Sequence, residues 1–302
     1  MMKVLHGKIG GSKKLNEDLC LTIGNFDGVH LGHQALIKAC INSGYKSMVM
    51  TFDPHPDCVV KRDGNYHFLV PRSKKIELIR KLNPDYLFII DFDIKGASKS
   101  KDDFINWLLK LGVKKIVCGK DYHFGHRASG DINDLKKHFE VMVLDNVLID
   151  NERVSSTNIK KYLSLGNIER ANLMLGRPYS IEGLVVHGSQ IGIKLGFPTA
   201  NIDIFGNTEP KKGVYAVMIE FRGKHYYGMA NVGNNPTCNY QLNSRLEVHL
   251  FNFSGNLYSQ NVNVHFLKYW REEQKFSSVE ELIKQLNDDK ERIKEWVLGY
   301  EG

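Results

Sequence analysis

Two histidines three residues apart, beside a glycine-bearing turn, are the side chains of this chain best placed to do chemistry. They are His30 and His33 in Thr22-Ile-Gly-Asn-Phe-Asp-Gly-Val-His-Leu-Gly-His-Gln34. An apolar run, Leu19 to Ile23, precedes the turn, and apolar residues at three- and four-residue steps follow it as far as Ile41. That pattern predicts strand, turn, then helix. Backbone N–H groups at such a helix N-terminus favour bound anions such as phosphate. The spacing lets His30 and His33 share one side of the first helical turn. There, with Gly24, Asp27 and Gly28, two imidazoles can stabilise negative charge developing on a phosphate.

A second chemically suggestive stretch is His187-Gly-Ser-Gln-Ile-Gly-Ile-Lys-Leu-Gly-Phe-Pro-Thr-Ala-Asn201. Its glycines let backbone wrap closely around a ligand. The Gly-Lys-Ser/Thr ending of a Walker-type loop is absent, so on composition alone it reads as a glycine-rich hairpin.

The elements that must position these residues fall into two kinds. From residue 16 to about 145, strands alternate with helices: Ser47–Phe52, helix 74–82, Tyr86–Ile90, helix 104–111, Lys115–Cys118, helix 132–138 and Val141–Leu144. This implies an α/β parallel, Rossmann-like sheet with helices on both faces. Its ligand site is expected beyond the strand C-termini, where the first turn, Asp53-Pro-His-Pro56 and the loop from Gly119 to Asp131 converge. Residues 157–175 read as two short helices split by Gly166-Asn167. From Ile181 to about His265, short β-rich runs separated by glycine and asparagine predict a small antiparallel β-barrel. A closing helix carries the apolar stripe Val279, Leu282, Ile283, Leu286, Ile293, Trp296 and Val297, read as core packing rather than a cofactor site. The domains are expected at 1–180 and 181–302.

The 302 residues, 42% hydrophobic and 25% charged, are ample for two cores. No apolar run approaches the ~20 residues of a membrane helix, and no signal peptide is evident, so a cytoplasmic location is expected. The five cysteines are scattered, without metal-ligand or disulfide spacing. The net charge of +7 is spread along the chain as solvated faces, and no nucleic-acid or membrane partner is expected.

His-Leu-Gly-His matches the His-x-Gly-His signature of nucleotidyltransferases, and Gly-Asn-Phe-Asp-Gly-Val-His is the form found in bacterial FAD synthetases. Pro198-Thr-Ala-Asn201 matches the motif of riboflavin kinases. Over nearly its whole length the chain resembles the bifunctional prokaryotic riboflavin kinase/FMN adenylyltransferase family. The resemblance implies ATP and riboflavin, FMN and FAD as substrates and products, with Mg²⁺ as cofactor. By that resemblance Gly24, Asn25, Phe26, Asp27 and Gly28 hold nucleotide with Ser156, Thr157 and Lys160. Lys160 stands where the family's Ser-Ser-Thr-x-Ile-Arg has arginine, keeping the charge without the planar fork. Asp53, His55, Pro56, Asp121, Phe124 and Arg127 would hold FMN.

In the barrel, the resemblance assigns Gly188, Gly192, Lys194 and Pro198 to ATP, and Thr199 and Asn201 to Mg²⁺ and phosphates. Glu247 would be the base that deprotonates the riboflavin 5′-hydroxyl, and Arg271 and Phe276 would line the flavin pocket. Ile193 stands at a usual arginine, Asn235 and Cys238 at a usual Arg and Phe, and Ser259 at a usual glycine. Three other readings are a monofunctional FMN adenylyltransferase with an impaired kinase half, a nucleotidyltransferase acting on pantetheine phosphate or nicotinamide mononucleotide, and a flavin-binding regulatory protein.

Overall fold

The computed structural model describes residues 1–60, 66–188, 191–204, 206–234 and 244–300, except the side chains of Ile191, Lys194, Asn234 and Ser244. The chain forms two compact units, Met1–Tyr66 with Arg72–Ser156, and His67–Pro71 with Thr157–Gly302.

In the first unit, β1 (Lys3–Gly7), β2 (Leu19–Ile23), β3 (Lys46–Asp53), β4 (Tyr86–Asp91), β5 (Val113–Gly119) and β6 (Glu140–Leu144) form one parallel sheet. Its order is β1-β4-β3-β2-β5-β6. The helices are α1 (Leu31–Ile41), α2 (Pro56–Val60), α3 (Arg72–Leu82), α4 (Ile94–Ala97), α5 (Lys101–Leu111) and α6 (Ile132–Lys136). A short antiparallel pair, β7 (Leu148–Ile149) and β8 (Glu152–Arg153), follows β6.

β2 is buried along its whole length, as a central parallel strand covered on both faces must be. Leu19, Leu21 and Ile23 join Phe104, Trp107 and Leu108 of α5 in one core, while Cys20 turns to Cys40 of α1. Phe26, Ile37 and Ile79 build another core with Val49, Leu87 and Ile89. Full burial of each such side chain stabilises by about 2 kcal/mol. The chain lays β2, β3 and β4 to one side and returns to place β5 and β6 on the other. The order in which strands are added therefore reverses at β2, and a crevice opens beyond that strand's C-terminal end. β1 was not anticipated: Lys-Val-Leu-His-Gly carries little strand signal, and its place beside β4 is set by parallel pairing.

The second unit takes nearly all of α7 (Ser156–Leu165), then α8 (Ile168–Leu175), β9 (Tyr179–Val186), α9 (Ile191–Lys194), β10 (Ala200–Asp203), β11 (Gly213–Phe221), β12 (Lys224–Asn234), β13 (Ser244–Leu250), β14 (Asn261–Arg271) and α10 (Val279–Leu298). The six strands close an antiparallel barrel in the order β10-β13-β12-β11-β14-β9, which leaves no exposed edge. The packing of the two units divides at Ser156/Thr157. Residue 180 marks where helical periodicity gives way to strand, but α8 already packs on β14 and β9. Asn172 fastens it by donating to the Phe266 carbonyl at 2.9 Å and accepting from Tyr179 N at 2.6 Å.

Ile283, Leu286, Ile293, Trp296 and Val297 of α10 pack around Ala216, Met229 and Phe251 of the barrel. The expected stripe needs two corrections. Val279 is exposed because it opens the helix, and Leu282 and Leu286 line a cavity instead of only filling the core.

Candidate functional site

The turn after β2 passes through left-handed backbone at Phe26 (φ 50°), Gly28 (φ 82°) and Val29 (φ 42°). Glycine takes such angles freely, whereas a residue bearing a Cβ does so at roughly 1–2 kcal/mol. His30, in extended conformation, caps α1, and its Nδ1 accepts from His33 N at 3.3 Å. The two imidazoles stack with centroids 3.6 Å apart at 18°. Buried Phe26 meets the edge of His33 at 5.1 Å.

Burial holds the His33 pKa well below the ordinary 6.5, with His30 and Lys75 adding positive potential. His33 is thus neutral at physiological pH and acts as a hydrogen-bonding group. Its Nδ1 is buried with no hydrogen-bond partner among the described residues. A cavity of about 280 Å³ lies here, lined by His30, His33, Gly119, Arg153, Ser155 and Ser156. It sits at the C-terminal ends of β2 and β5, where the topology requires a ligand crevice. The Ser156 hydroxyl donates to the Asp27 carbonyl at 2.9 Å, so the two motifs meet.

The other expected residues of this half lie elsewhere. Asp53, followed by a cis peptide to Pro54, pairs with Arg72 Nη1 at 2.8 Å. His55 accepts from Asp57 N at 3.1 Å and stacks on Tyr66, and Pro56 opens α2. None of these three lines the cavity. Asp121 is exposed and pairs with Arg153 at 2.5 Å, which ties the loop after β5 to a cavity residue. Phe124 is a core residue: it is buried against Phe104 and Tyr122, because an apolar ring in that loop gains more from the core than from solvent. Arg127 is exposed in a left-handed bend. Thr157 and Lys160 belong to the other unit, on α7.

In the barrel, Glu247 of β13 stands opposite Asn201 of β10 across the ladder. Arg245 lies two residues before Glu247, on the same strand face. Its Nε donates to Asn201 Oδ1 at 2.5 Å and pairs with Glu247 Oε1 at 2.6 Å. A Cβ on Gly188 would overlap the Asn201 amide and the Arg245 guanidinium, so this close approach requires glycine.

A cavity of about 440 Å³ is lined by Thr199, Arg245, Glu247, Arg271, Phe276 and Leu286. A second, of about 220 Å³, is lined by Ile193, Pro198, Thr199, Leu257 and Tyr258. Thr199 borders both, and Gly192 borders the first. His249 donates from Nδ1 to the Pro198 carbonyl at 2.9 Å, and burial lowers its pKa. Ser259 sits at φ 60°, the angle that favours glycine. The Lys194 side chain, Asn235 and Cys238 lie outside the described residues.

The sequence reading missed Lys75, Arg153, Arg245 and Asp289. Lys75 is hidden among the basic residues of α3 and Asp289 among the charges of α10. Arg245 had a usable signal, its two-residue spacing from Glu247 on a strand.

Known proteins agree with this division. The family model described as FAD synthetase matches residues 12–158, and that for riboflavin kinase matches residues 175–297. A bifunctional riboflavin kinase/FMN adenylyltransferase of Buchnera aphidicola (subspecies Schizaphis graminum) is 39% identical over 98% of this chain and 99% of its own. One from Listeria monocytogenes is 36% identical over 95% of each chain. A Streptococcus pneumoniae crystal structure described as a macrolide-efflux protein superposes with a TM-score of 0.89 at 30% identity, covering 97% of this chain and 99% of that one. In the present chain no helix among the described residues is long and apolar enough to cross a membrane.

Proposed function

Because this chain belongs to the bifunctional riboflavin kinase/FMN adenylyltransferase family, we propose that each compact unit carries one of its two reactions at the cavity just described. The chain phosphorylates riboflavin to FMN and adenylylates FMN to FAD. The observation that carries the assignment of sites is that each cavity is lined by signature residues of its own unit, His30 and His33 in one, Thr199 and Glu247 in the other.

In the first unit, an FMN phosphate oxygen attacks the α-phosphorus of ATP, and the bond to the β-phosphate oxygen breaks to release pyrophosphate. A phosphate monoester is already nucleophilic, so no base is required. His33, held neutral, donates a hydrogen bond to charge building on the phosphates, and stacked His30 does the same from the helix cap. Arg153 stands on the cavity wall to meet phosphate oxygens, beside Ser156, whose hydroxyl is given to the Asp27 carbonyl.

In the second unit, Glu247 accepts the proton of the riboflavin 5′-hydroxyl as that oxygen attacks the γ-phosphorus and ADP leaves. The larger cavity, walled by Arg271, Phe276 and Leu286, takes the flavin ring. The smaller one, with Leu257 and Tyr258, takes the adenine. Thr199 at their junction then lies where the phosphates pass. The Thr199 hydroxyl at the junction suits a Mg²⁺ that arrives with phosphates and keeps few protein ligands, and Asn201 would join it only on releasing its oxygen from Arg245. When bound, the ion would neutralise triphosphate charge.

The test is chromatographic separation of flavins after incubation with MgATP and either riboflavin or FMN. FAD from both substrates is expected. FAD from FMN alone would leave the barrel without its assigned reaction.

A further inference from the structure

The left-handed turn between β2 and α1 is held by side chains from several separate elements. Carbonyls at alternate positions of this turn are each taken by a donor. The Thr51 hydroxyl of β3 reaches Asn25 O at 3.2 Å, Ser156 reaches Asp27 O at 2.9 Å, and Gln34 of α1 reaches Val29 O at 3.0 Å. Lys75 of α3 completes the set. Its ammonium donates to Asn25 O at 3.2 Å and to Thr51 Oγ1 at 3.2 Å. Backbone in sparsely populated angles persists only where its surroundings over-determine it. Phe26 and Val29 are in that condition, and His30 follows Val29 directly.

Lys75 is an unusual choice for such a clasp. It is half-buried, and burial depresses its pKa against the opposing charges of Asp27 and Asp53. An ordinary surface lysine keeps its head in water. This one lends its charge to a backbone carbonyl at the entry to the signature turn.

We infer that Lys75 is a positioning residue for adenylyl transfer: by gripping the Asn25 carbonyl and the Thr51 hydroxyl it fixes the Phe26–Val29 turn, and through it the placement of His30 and His33. It touches no substrate in this role. The inference rests on the reading of the first unit given above and names the residue that keeps its site in register.

The test uses the full chain with Lys75→Met and Lys75→Arg, assayed separately for FAD from FMN and for FMN from riboflavin. Lys75→Met should lower kcat for FAD formation by roughly tenfold or more, the scale on which small misplacements act. KM for FMN and ATP should stay close to those of the unaltered chain. Lys75→Arg, which retains charge and donors, should recover most of the rate, and riboflavin phosphorylation should be unchanged in both. An unchanged kcat in Lys75→Met would overturn the inference. So would a raised KM with kcat intact, because that marks direct substrate binding. If Lys75→Met does not fold, Lys75→Gln supplies the neutral comparison and is read in the same way. No FAD from the unaltered chain would instead overturn the functional reading beneath it.

Discussion

Arg271 grips Asp289 through the Nε–Nη2 edge of its guanidinium: Nε lies 2.9 Å and Nη2 2.6 Å from Asp289 Oδ2, and Nε also reaches Oδ1 at 3.1 Å. Asp289 is 1% exposed, and Gln285 donates to its other face at 3.0 Å. The arginine that borders the larger barrel cavity is therefore fastened to the closing helix by a buried ion pair.

Removing one charge from such a pair strands the other in a medium that solvates it poorly. Asp289→Asn is expected to destabilise the barrel by about 3–5 kcal/mol, whereas Gln285→Ala, which spares the pair, should cost about 1 kcal/mol. Thermal unfolding checks both. At temperatures where Asp289→Asn stays folded, KM for riboflavin should rise, because the Arg271 fork is no longer held.

Glu247→Gln and His33→Ala should have reciprocal effects. The first is expected to lower FMN formation by about 10²–10⁴-fold while leaving FAD formation from supplied FMN intact. The second should abolish FAD formation and spare FMN formation. Product separation on both variants reads the result. Loss of the same product in both would overturn the assignment of one reaction to each unit.

The lowered pKa of His33 has a consequence for stability. Unfolded, this imidazole takes a proton near pH 6.5, while in the fold it resists doing so at that pH. The unfolded chain then binds the extra proton, and acid favours it. Stability from this residue is complete above the unfolded value and is lost as pH falls through the lower folded value. Thermal melts of the unaltered chain should therefore fall more steeply as pH drops below about 6.5 than those of His33→Gln, which cannot titrate. Parallel slopes would refute the shift.

Ser259 carries a side chain at φ 60°. Ser259→Gly should relieve about 1 kcal/mol of left-handed strain and raise the melting temperature of the barrel by about 2–4 °C, measured by calorimetry. No gain would show that the serine is offset elsewhere.

The first strand, its turn and α1 were legible because apolar spacing and glycine placement point to the same elements. Barrel strands were legible for a similar reason, since β-rich runs broken by glycine have few alternatives. What the sequence could not convey was assignment between surfaces. α8 has an apolar face, but nothing in its spacing says which sheet it covers. Leu282 and Leu286 share one stripe with true core residues, and only the barrel's shape makes them cavity walls. Charged residues were the hardest to read: Lys75, Arg245 and Asp289 resemble any solvated charge until the fold gives each a partner. Phe124 went the other way, a loop aromatic that the core recruited.

Val29 stands at φ 42°, where a β-branched residue is least at ease. Yet its side chain is 1% exposed, packed in the core with Phe26 and Ile37, and that burial outweighs what the bend costs. A variant library screened only for heat tolerance should therefore keep an apolar residue here, because glycine empties part of that core and asparagine buries an amide in it. Selection for a tougher chain and selection for a steady His30 thus press on this position in the same direction.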